Sequence, residues 1–165
     1  MAKSLFDTFF ENWPVIEKLD GFDTFWQKSI KENKNLSIEP ELKKNSKKTT
    51  QKFKVIDISY KGYLKTKIHG QLYIPVKKHK PRVIILIHDY NKKMTFSAQN
   101  LDTNFAYFIM ILRGHDLLSF KNSEEVESPG YMIENIMDIH TYYVKSLYID
   151  GIRTIDMLRL ITDLD

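Results

Sequence analysis

Residues of types that commonly take part in catalysis or ligand binding directly follow an aliphatic run near the middle of the chain. The run 83–87 holds five consecutive branched or long aliphatic residues, and His88, Asp89, Tyr90 and Asn91 come next. In open α/β sheets, ligands bind outside the carboxyl ends of the strands. If the run is a buried strand, these four residues are the first place to expect a binding or catalytic site.

Histidine and aspartate lie close together at three places, which suggests a metal site as one alternative. The pairs are His88-Asp89, His115-Asp116 and Asp138-x-His140. Histidine and carboxylate ligands at strand ends can hold a catalytic divalent ion. No pair has the spacing of the HExxH motif, in which two histidines share one face of a helix. The sequence therefore favours a site without a metal or another cofactor.

The element that must position the first cluster is a strand at 82–88. Its aliphatic run has no polar break, is rich in β-branched residues and follows Pro81, which favours a strand over a buried helix. A second apolar run, 105–112, ends in an Arg-Gly-His turn. The stretch 91–104 between them is long enough for a crossover connection. This order predicts an α/β fold with a mostly parallel sheet.

Helical periodicity is found at both ends of the chain. Apolar residues three or four positions apart predict helices within 4–12, 22–33 and 144–161. Asp150 and Arg153 are three positions apart on the last helix and would form a weak ion pair if they were exposed.

Composition divides the chain into three parts of a single, partial domain, 1–165. Residues 1–34 predict an N-terminal helical extension, and residues 35–52 predict a polar linker with no periodicity. Residues 53–165 predict the sheet with its crossover helices. This third part starts with two strands around the turn at Gly62.

Charge and composition exclude several classes of protein. The net charge is +4 and there is no cysteine, so disulfides and thiolate metal sites are excluded. No apolar run reaches the ~20 residues of a membrane helix, and Asp7 interrupts the only stretch that could start a signal peptide. We therefore expect a cytoplasmic protein with no membrane contact. No aromatic residue interleaves the lysines of 33–52, so no nucleic-acid partner is expected.

Five segments of the chain are similar, in order, to motifs of one known family. They are FDTFW at 22–26, IHGQLYIP at 68–75, VIILIHDYN at 83–91, RGH at 113–115 and YYVKSLYIDGIR at 142–153. Together they resemble the N-terminal half of the acetyl xylan esterase / cephalosporin-C deacetylase family of α/β-hydrolases. The resemblance covers nearly the whole chain, and it implies the N-terminal half of that fold.

The resemblance also implies that the catalytic residues are missing. The family hydrolyses esters with a Ser-His-Asp triad and no metal, and its serine lies on a Gly-x-Ser-x-Gly turn after the helix that ends here near Asp165. No serine in this sequence has a glycine two residues before it and two after. The resemblance therefore implies an acetyl-esterase fragment that is inactive alone. Two alternatives stay open: a subunit of a split esterase, completed by a C-terminal piece to act on an acetylated sugar or similar ester, and a basic interaction module without activity.

The resemblance assigns roles to Tyr90, Arg113 and Gly114 and marks two departures, Asp89 and His115. The backbone N–H of Tyr90 would contribute to the oxyanion hole, which stabilises the negative oxygen of the tetrahedral intermediate. Asp89 departs from the family's glycine, and a left-handed backbone there would cost aspartate more than glycine. Arg113 and Gly114 match a structural turn, with Arg113 pairing to a carboxylate. His115 replaces the family's glutamine.

The missing part has a consequence for the sheet. In α/β-hydrolases, the strand that matches 82–88 lies between its neighbour and the strand that carries the nucleophile. Without the latter, the strand 82–88 becomes an edge strand with the composition of a central one. Exposed apolar edges template further pairing, so we expect self-association through this strand, or a partner that supplies the missing one.

Overall fold

Two helices and five strands make up the regular structure of the described residues. The computed structural model describes residues 17–89, 96–115, 130–161 and 164. The helices are α1 (Phe22–Lys34) and α2 (Tyr143–Arg159). The strands are β1 (Glu41–Lys44), β2 (Phe53–Lys61), β3 (Lys67–Pro75), β4 (Arg82–Ile87) and β5 (Phe105–Ile111). The predicted helix within 4–12 and the predicted site residues Tyr90, Asn91 and Asp116 lie outside the described residues.

The five strands form one mixed sheet in the order β1-β2-β3-β5-β4. The α/β fold and the parallel crossover pair are confirmed, because β4 and β5 run parallel. The other three pairs, β1–β2, β2–β3 and β3–β5, are antiparallel, so the sheet is mixed rather than mostly parallel. The reason lies in the first two connections, 45–52 and 62–66. They are too short to carry the chain back for a parallel return, which needs a dozen or more residues.

The sheet has two edges of very different character. β1 forms one edge, and all four of its side chains are exposed. β4 forms the other edge, as predicted for the strand 82–88, and no strand among the described residues pairs with its outer side. β4 nevertheless consists of aliphatic residues after Arg82. The edges therefore differ in how well they resist further pairing.

Apolar layers cover both faces of the sheet. On one face Tyr60, Phe108 and Met110 pack against Met157 and Leu158 of α2. The opposite face buries a second cluster: Phe53, Val55, Tyr73, Tyr107, Ile109 and Ile111. The two strands β3 and β5 approach closely at Gly70, where a Cβ would collide with the ring of Phe108. Burial on both faces explains the unbroken apolar run of β5.

The N-terminal part of the described chain wraps onto this body. α1 is present as predicted, and Trp26 packs edge-on against Tyr148 of α2 with ring centroids 5.5 Å apart. The segment 35–52, predicted as a polar linker, contains β1. Hydrophobic periodicity gave no sign of this strand, because it pairs with β2 through its backbone while its side chains face solvent. None of the helices described is long and apolar enough to cross a lipid bilayer.

Candidate functional site

The carboxyl ends of β4 and β5 meet because the two strands are parallel neighbours. This brings His88, which follows β4, against the residues after β5. The amide N–H of Leu112 donates to His88 Nε2 over 3.1 Å. The rings of His88 and His115 lie 5.0 Å apart in an edge-to-face arrangement. Two of the three predicted histidine positions therefore come together at one end of the sheet.

His88 is a buried, neutral imidazole in this arrangement. Its side chain is only 5% exposed. Because Nε2 accepts from Leu112, the proton of the neutral ring lies on Nδ1, which donates to the carbonyl oxygen of Asp89 at 2.9 Å. Burial lowers the pKa of His88, and the nearby His115 adds a smaller effect in the same direction. A second proton would also place an N–H against the N–H of Leu112.

A buried ion pair fixes the chain just after β5. Arg113 Nε donates to Asp150 Oδ2 at 2.7 Å, and Arg113 Nη2 donates to Asp150 Oδ1 at 2.9 Å. The amide of Tyr63 donates to the same Oδ1 at 2.7 Å, and Arg113 Nη2 also reaches the carbonyl of Tyr63 at 3.2 Å. Asp150 is fully buried. The structure thus supplies the carboxylate that Arg113 was expected to bind.

Close packing surrounds the Asp150 carboxylate. A Cβ on Gly62 would collide with Asp150 Oδ1, so glycine is required there for space. Burial raises the pKa of Asp150, while the guanidinium of Arg113 and the amide of Tyr63 act in the opposite direction. The carboxylate has three hydrogen-bond donors from two elements, which is what a buried charge needs.

Arg153 does not form the surface pair with Asp150 that the sequence suggested. It is buried, and its guanidinium donates to the carbonyls of Lys61, Asn33 and Ser37 at 2.7, 2.9 and 2.8 Å. These bonds tie α2 to the end of β2 and to the end of α1. The sequence signal was the position of Arg153 itself, four residues after Ile149 on the apolar face of the helix.

Two tyrosines pack beside the turn that follows Arg113. Gly114 has φ +79°, and a Cβ there would come within 2.7 Å of the Tyr131 ring. Tyr131 donates to the Gly114 carbonyl at 3.0 Å, and Tyr143 donates to the Arg113 carbonyl at 3.1 Å. The two tyrosine rings stack with centroids 5.4 Å apart. An open groove of about 360 Å³ lies beside them and includes Glu134 in its lining.

Asp89, the predicted site residue that follows His88, has an exposed side chain. The non-glycine residues with left-handed backbone in the described part are Glu39, Leu64, Lys65, Lys80 and Asn135. Asp89 is not one of them, so the cost that a left-handed backbone would have for aspartate does not arise at this position.

The third histidine–aspartate pair has a local structural use. Asp138 accepts from the amide of His140 at 2.9 Å and from the hydroxyl of Thr141 at 2.7 Å. These bonds close the turn that precedes α2. In the described residues, no three side chains of histidine, aspartate or glutamate converge as metal ligands would.

Comparison with known proteins places this geometry in a family. A model described as acetyl xylan esterase (AXE1) matches residues 7–165. The acetyl esterase Axe7A of Xylanibacter ruminicola is 26% identical over an alignment of 165 positions, which covers 92% of this chain and 37% of that protein.

Solved structures agree on the fold. An acetyl xylan esterase from a Paenibacillus species matches with a TM-score of 0.79 at 22% identity, over 96% of this chain and 53% of that one. Acetyl xylan esterase 1 from a Thermoanaerobacterium species matches with a TM-score of 0.79 at 17% identity, over the whole of this chain and 53% of that one. The chain therefore spans about half the length of these structures, and less of the curated relative.

Replacing Asp150 by asparagine should strongly destabilise the chain. The change removes the charge that Arg113 needs and leaves a largely buried guanidinium without its counter-ion, at a cost of roughly 3–5 kcal/mol. Asp156→Asn is the matched control, because Asp156 lies one and a half turns further on α2 and pairs with the exposed Arg159 over 3.5 Å. This second change should cost less than about 0.5 kcal/mol. Urea unfolding of both variants measures the difference, and equal losses would contradict the anchoring role of Asp150.

Protonation of His88 should make the fold less stable in mild acid. Its pKa is lowered by burial, so the unfolded chain binds the proton more readily than the folded one. Stability is then fully retained above the ordinary histidine pKa of about 6.5 and falls as the pH decreases below it. Urea midpoints at pH 7.5 and 5.5 should differ less in His88→Gln than in the parent chain. His79→Gln, at an exposed loop position, should keep the parent's dependence; an unchanged dependence in His88→Gln would contradict the assignment.

Proposed function

The chain belongs to the acetyl xylan esterase family, and we propose that it is the N-terminal portion of an acetyl-ester deacetylase that is inactive by itself. The observation that carries this proposal is the absence of any Gly-x-Ser-x-Gly sequence in a chain that spans about half of its solved relatives. The names of those relatives favour acetylated sugars as substrates. Deacetylation of cephalosporin C, a general carboxylesterase activity and a cytoplasmic location belong to the same proposal.

In the complete enzyme, this portion would supply the oxyanion side of the site. A serine from the other portion would attack the ester carbonyl, and the carbonyl oxygen would take up the negative charge. The backbone N–H of Tyr90 would donate to that oxygen, as the family resemblance implies. Two contacts support this role. His88, two residues before Tyr90, accepts a hydrogen bond from the amide of Leu112. Leu112 in turn precedes Arg113, which is anchored by Asp150. The two strand ends are thus fixed against each other.

The outer side of β4 is where the other portion would dock. An open groove of about 410 Å³ lies between β4 and the end of α2, and its lining is mainly apolar: Val83, Ile85, Ile155, Leu158, Ile161 and Leu164. On β4 itself, Ile84 is 37% exposed and Ile87 is 57% exposed. An apolar strand that pairs in parallel with β4 would cover these side chains and satisfy the strand's outer backbone groups.

The opposite edge of the sheet is protected against such pairing. β1 has only four residues, and Glu41, Lys43 and Lys44 are charged. Short, charged edge strands resist the addition of another strand. We therefore propose that docking is directed to β4 alone, whether the occupant is a C-terminal piece or a second copy of the chain.

The purified chain should not hydrolyse p-nitrophenyl acetate faster than a heat-treated control, because it lacks the serine and the base of covalent catalysis. Co-expression with the C-terminal portion of a related acetyl xylan esterase should produce activity. Turnover by the chain alone that survives repurification and is lost in His88→Gln would overturn the proposal. A downstream reading frame with Gly-x-Ser-x-Gly after a short apolar run would favour a subunit of a split esterase over an inactive fragment.

The chain on its own should self-associate through β4. Ile84→Lys places a charge at the apolar edge and should shift the chain towards monomer in sedimentation velocity, because a buried lysine in the paired edge is costly. Leu42→Lys is the matched control on β1, where Leu42 is 49% exposed. It should leave the association unchanged. A parent chain that stays a monodisperse monomer over a wide concentration range would refute the open-edge interpretation.

A further inference from the structure

Positive charge is concentrated in one stretch of the chain. Residues 43–80 contain twelve lysines and a single acidic residue, Asp57, which gives this stretch a formal charge of +11. The whole chain has a net charge of +4, so the remaining residues carry −7. The net charge is therefore small although positive and negative residues are distributed very unevenly along the chain.

Strand register gathers many of these lysines at one end of the sheet. Phe53, which starts β2, pairs with Pro75, which ends β3. Lys54 on β2 and Lys52 just before it therefore lie near the loop 77–80, which leads into β4. This is the end where β4 and β5 begin, whereas the candidate ester site lies where they finish.

A groove of about 340 Å³ is found at this end. We call it the basic groove, and its lining includes Lys54, Lys77, Lys78, His79 and Lys80. All five side chains are exposed. Lys80 has a left-handed backbone, with φ +44°. The loop thus displays three lysines and a histidine in succession on one side of an open concavity.

The floor of the basic groove is aliphatic. It is lined by Ile56, Ile74, Pro75 and Val76. The described lining contains no phenylalanine, tyrosine or tryptophan. A ligand that fits must therefore combine anionic groups for the lysines with C–H surface for the floor.

No carboxylate of the described residues neutralises the groove. Ion pairs within 4 Å involve other lysines, such as Lys61 with Glu39 and Lys67 with Glu41. Asp57 lies on the opposite face of β2 from Lys54, where its two oxygens accept from Asn45 and Gln71 at 2.9 and 2.7 Å. The groove lysines are therefore available to an anionic partner.

We propose that the basic groove binds a polysaccharide that carries uronate groups. Lysine ammonium groups are mobile point charges that suit carboxylates spaced along a flexible polymer. The aliphatic floor suits the C–H faces of sugar rings. Single-stranded nucleic acids are usually held by several aromatic residues that stack on the bases, and the described lining has no phenylalanine, tyrosine or tryptophan. The choice of a carbohydrate over another polyanion rests on the proposed function, since the groove would hold a polymer whose acetyl esters are removed at the other end of the sheet.

Affinity electrophoresis in gels containing polygalacturonate tests this proposal on the full 165-residue chain. Lys77→Gln, Lys78→Gln and Lys80→Gln together should weaken binding at least tenfold at 50 mM salt. The matched control combines Lys28→Gln, Lys31→Gln and Lys34→Gln on α1, which removes the same charge elsewhere. It should change binding less than twofold. Self-association would affect both triple variants alike, and thermal melting checks that both are folded.

Further gels separate the alternatives. Unsubstituted xylan should cause no retardation, and binding to polygalacturonate should weaken as salt rises. Equal losses in the two triple variants would show that net charge alone causes retention, which overturns the proposal. Tighter binding of DNA through the same three lysines would overturn the carbohydrate assignment in favour of a nucleic acid. These gels need no hydrolysis, so their failure leaves the proposed esterase function untouched.

Discussion

The ion pair between Arg113 and Asp150 is the interaction on which the candidate site depends. It joins the end of β5, the turn after β2 and the middle of α2, three elements that are far apart in sequence. The desolvation of two charges is costly, and it is offset here by a two-pronged contact and by the amide of Tyr63. Such a pair adds little net stability compared with apolar packing, but it tolerates only one arrangement of its partners. The position of the Gly114 turn, and the tyrosines that bond to its carbonyls, follow from that arrangement.

A second buried charge works in a different way on the same helix. Arg153 has its guanidinium directed at backbone carbonyls rather than at a carboxylate. Carbonyl oxygens at the end of α1 have no partner within that helix, because the last turn of any helix leaves its acceptors free. Arg153 satisfies part of this need and attaches α1 to the sheet. Asp150 and Arg153 thus both bind the backbone at or just after the end of β2, while Asp150 also holds the turn after β5 and Arg153 also holds the end of α1.

How far the sequence predicts the structure depends on the range of the interactions involved. The strands β4 and β5, their parallel pairing and the two helices follow from local patterns of apolar residues. The partner of Arg113 cannot be identified in this way, because Asp150 lies 37 positions away and its spacing predicts a pair with Arg153 instead. β1 was missed because all four of its side chains are exposed, so the strand has no hydrophobic period. The predicted oxyanion donor, Tyr90, lies outside the described residues and stays a prediction.

The separation of Arg113 from Asp150 also bears on the order of events during synthesis. A ribosome adds roughly 5–20 residues per second, so the carboxylate follows its arginine by about 2–7 s. During this interval β2, β3 and β5 are already available for antiparallel pairing, while the strand end that precedes Gly114 has no anchor. The nascent chain would therefore hold a formed sheet whose end at the candidate site is not yet anchored until α2 is made. Slower translation between the codons for Arg113 and Asp150 would prolong this unanchored state without changing the amino-acid sequence.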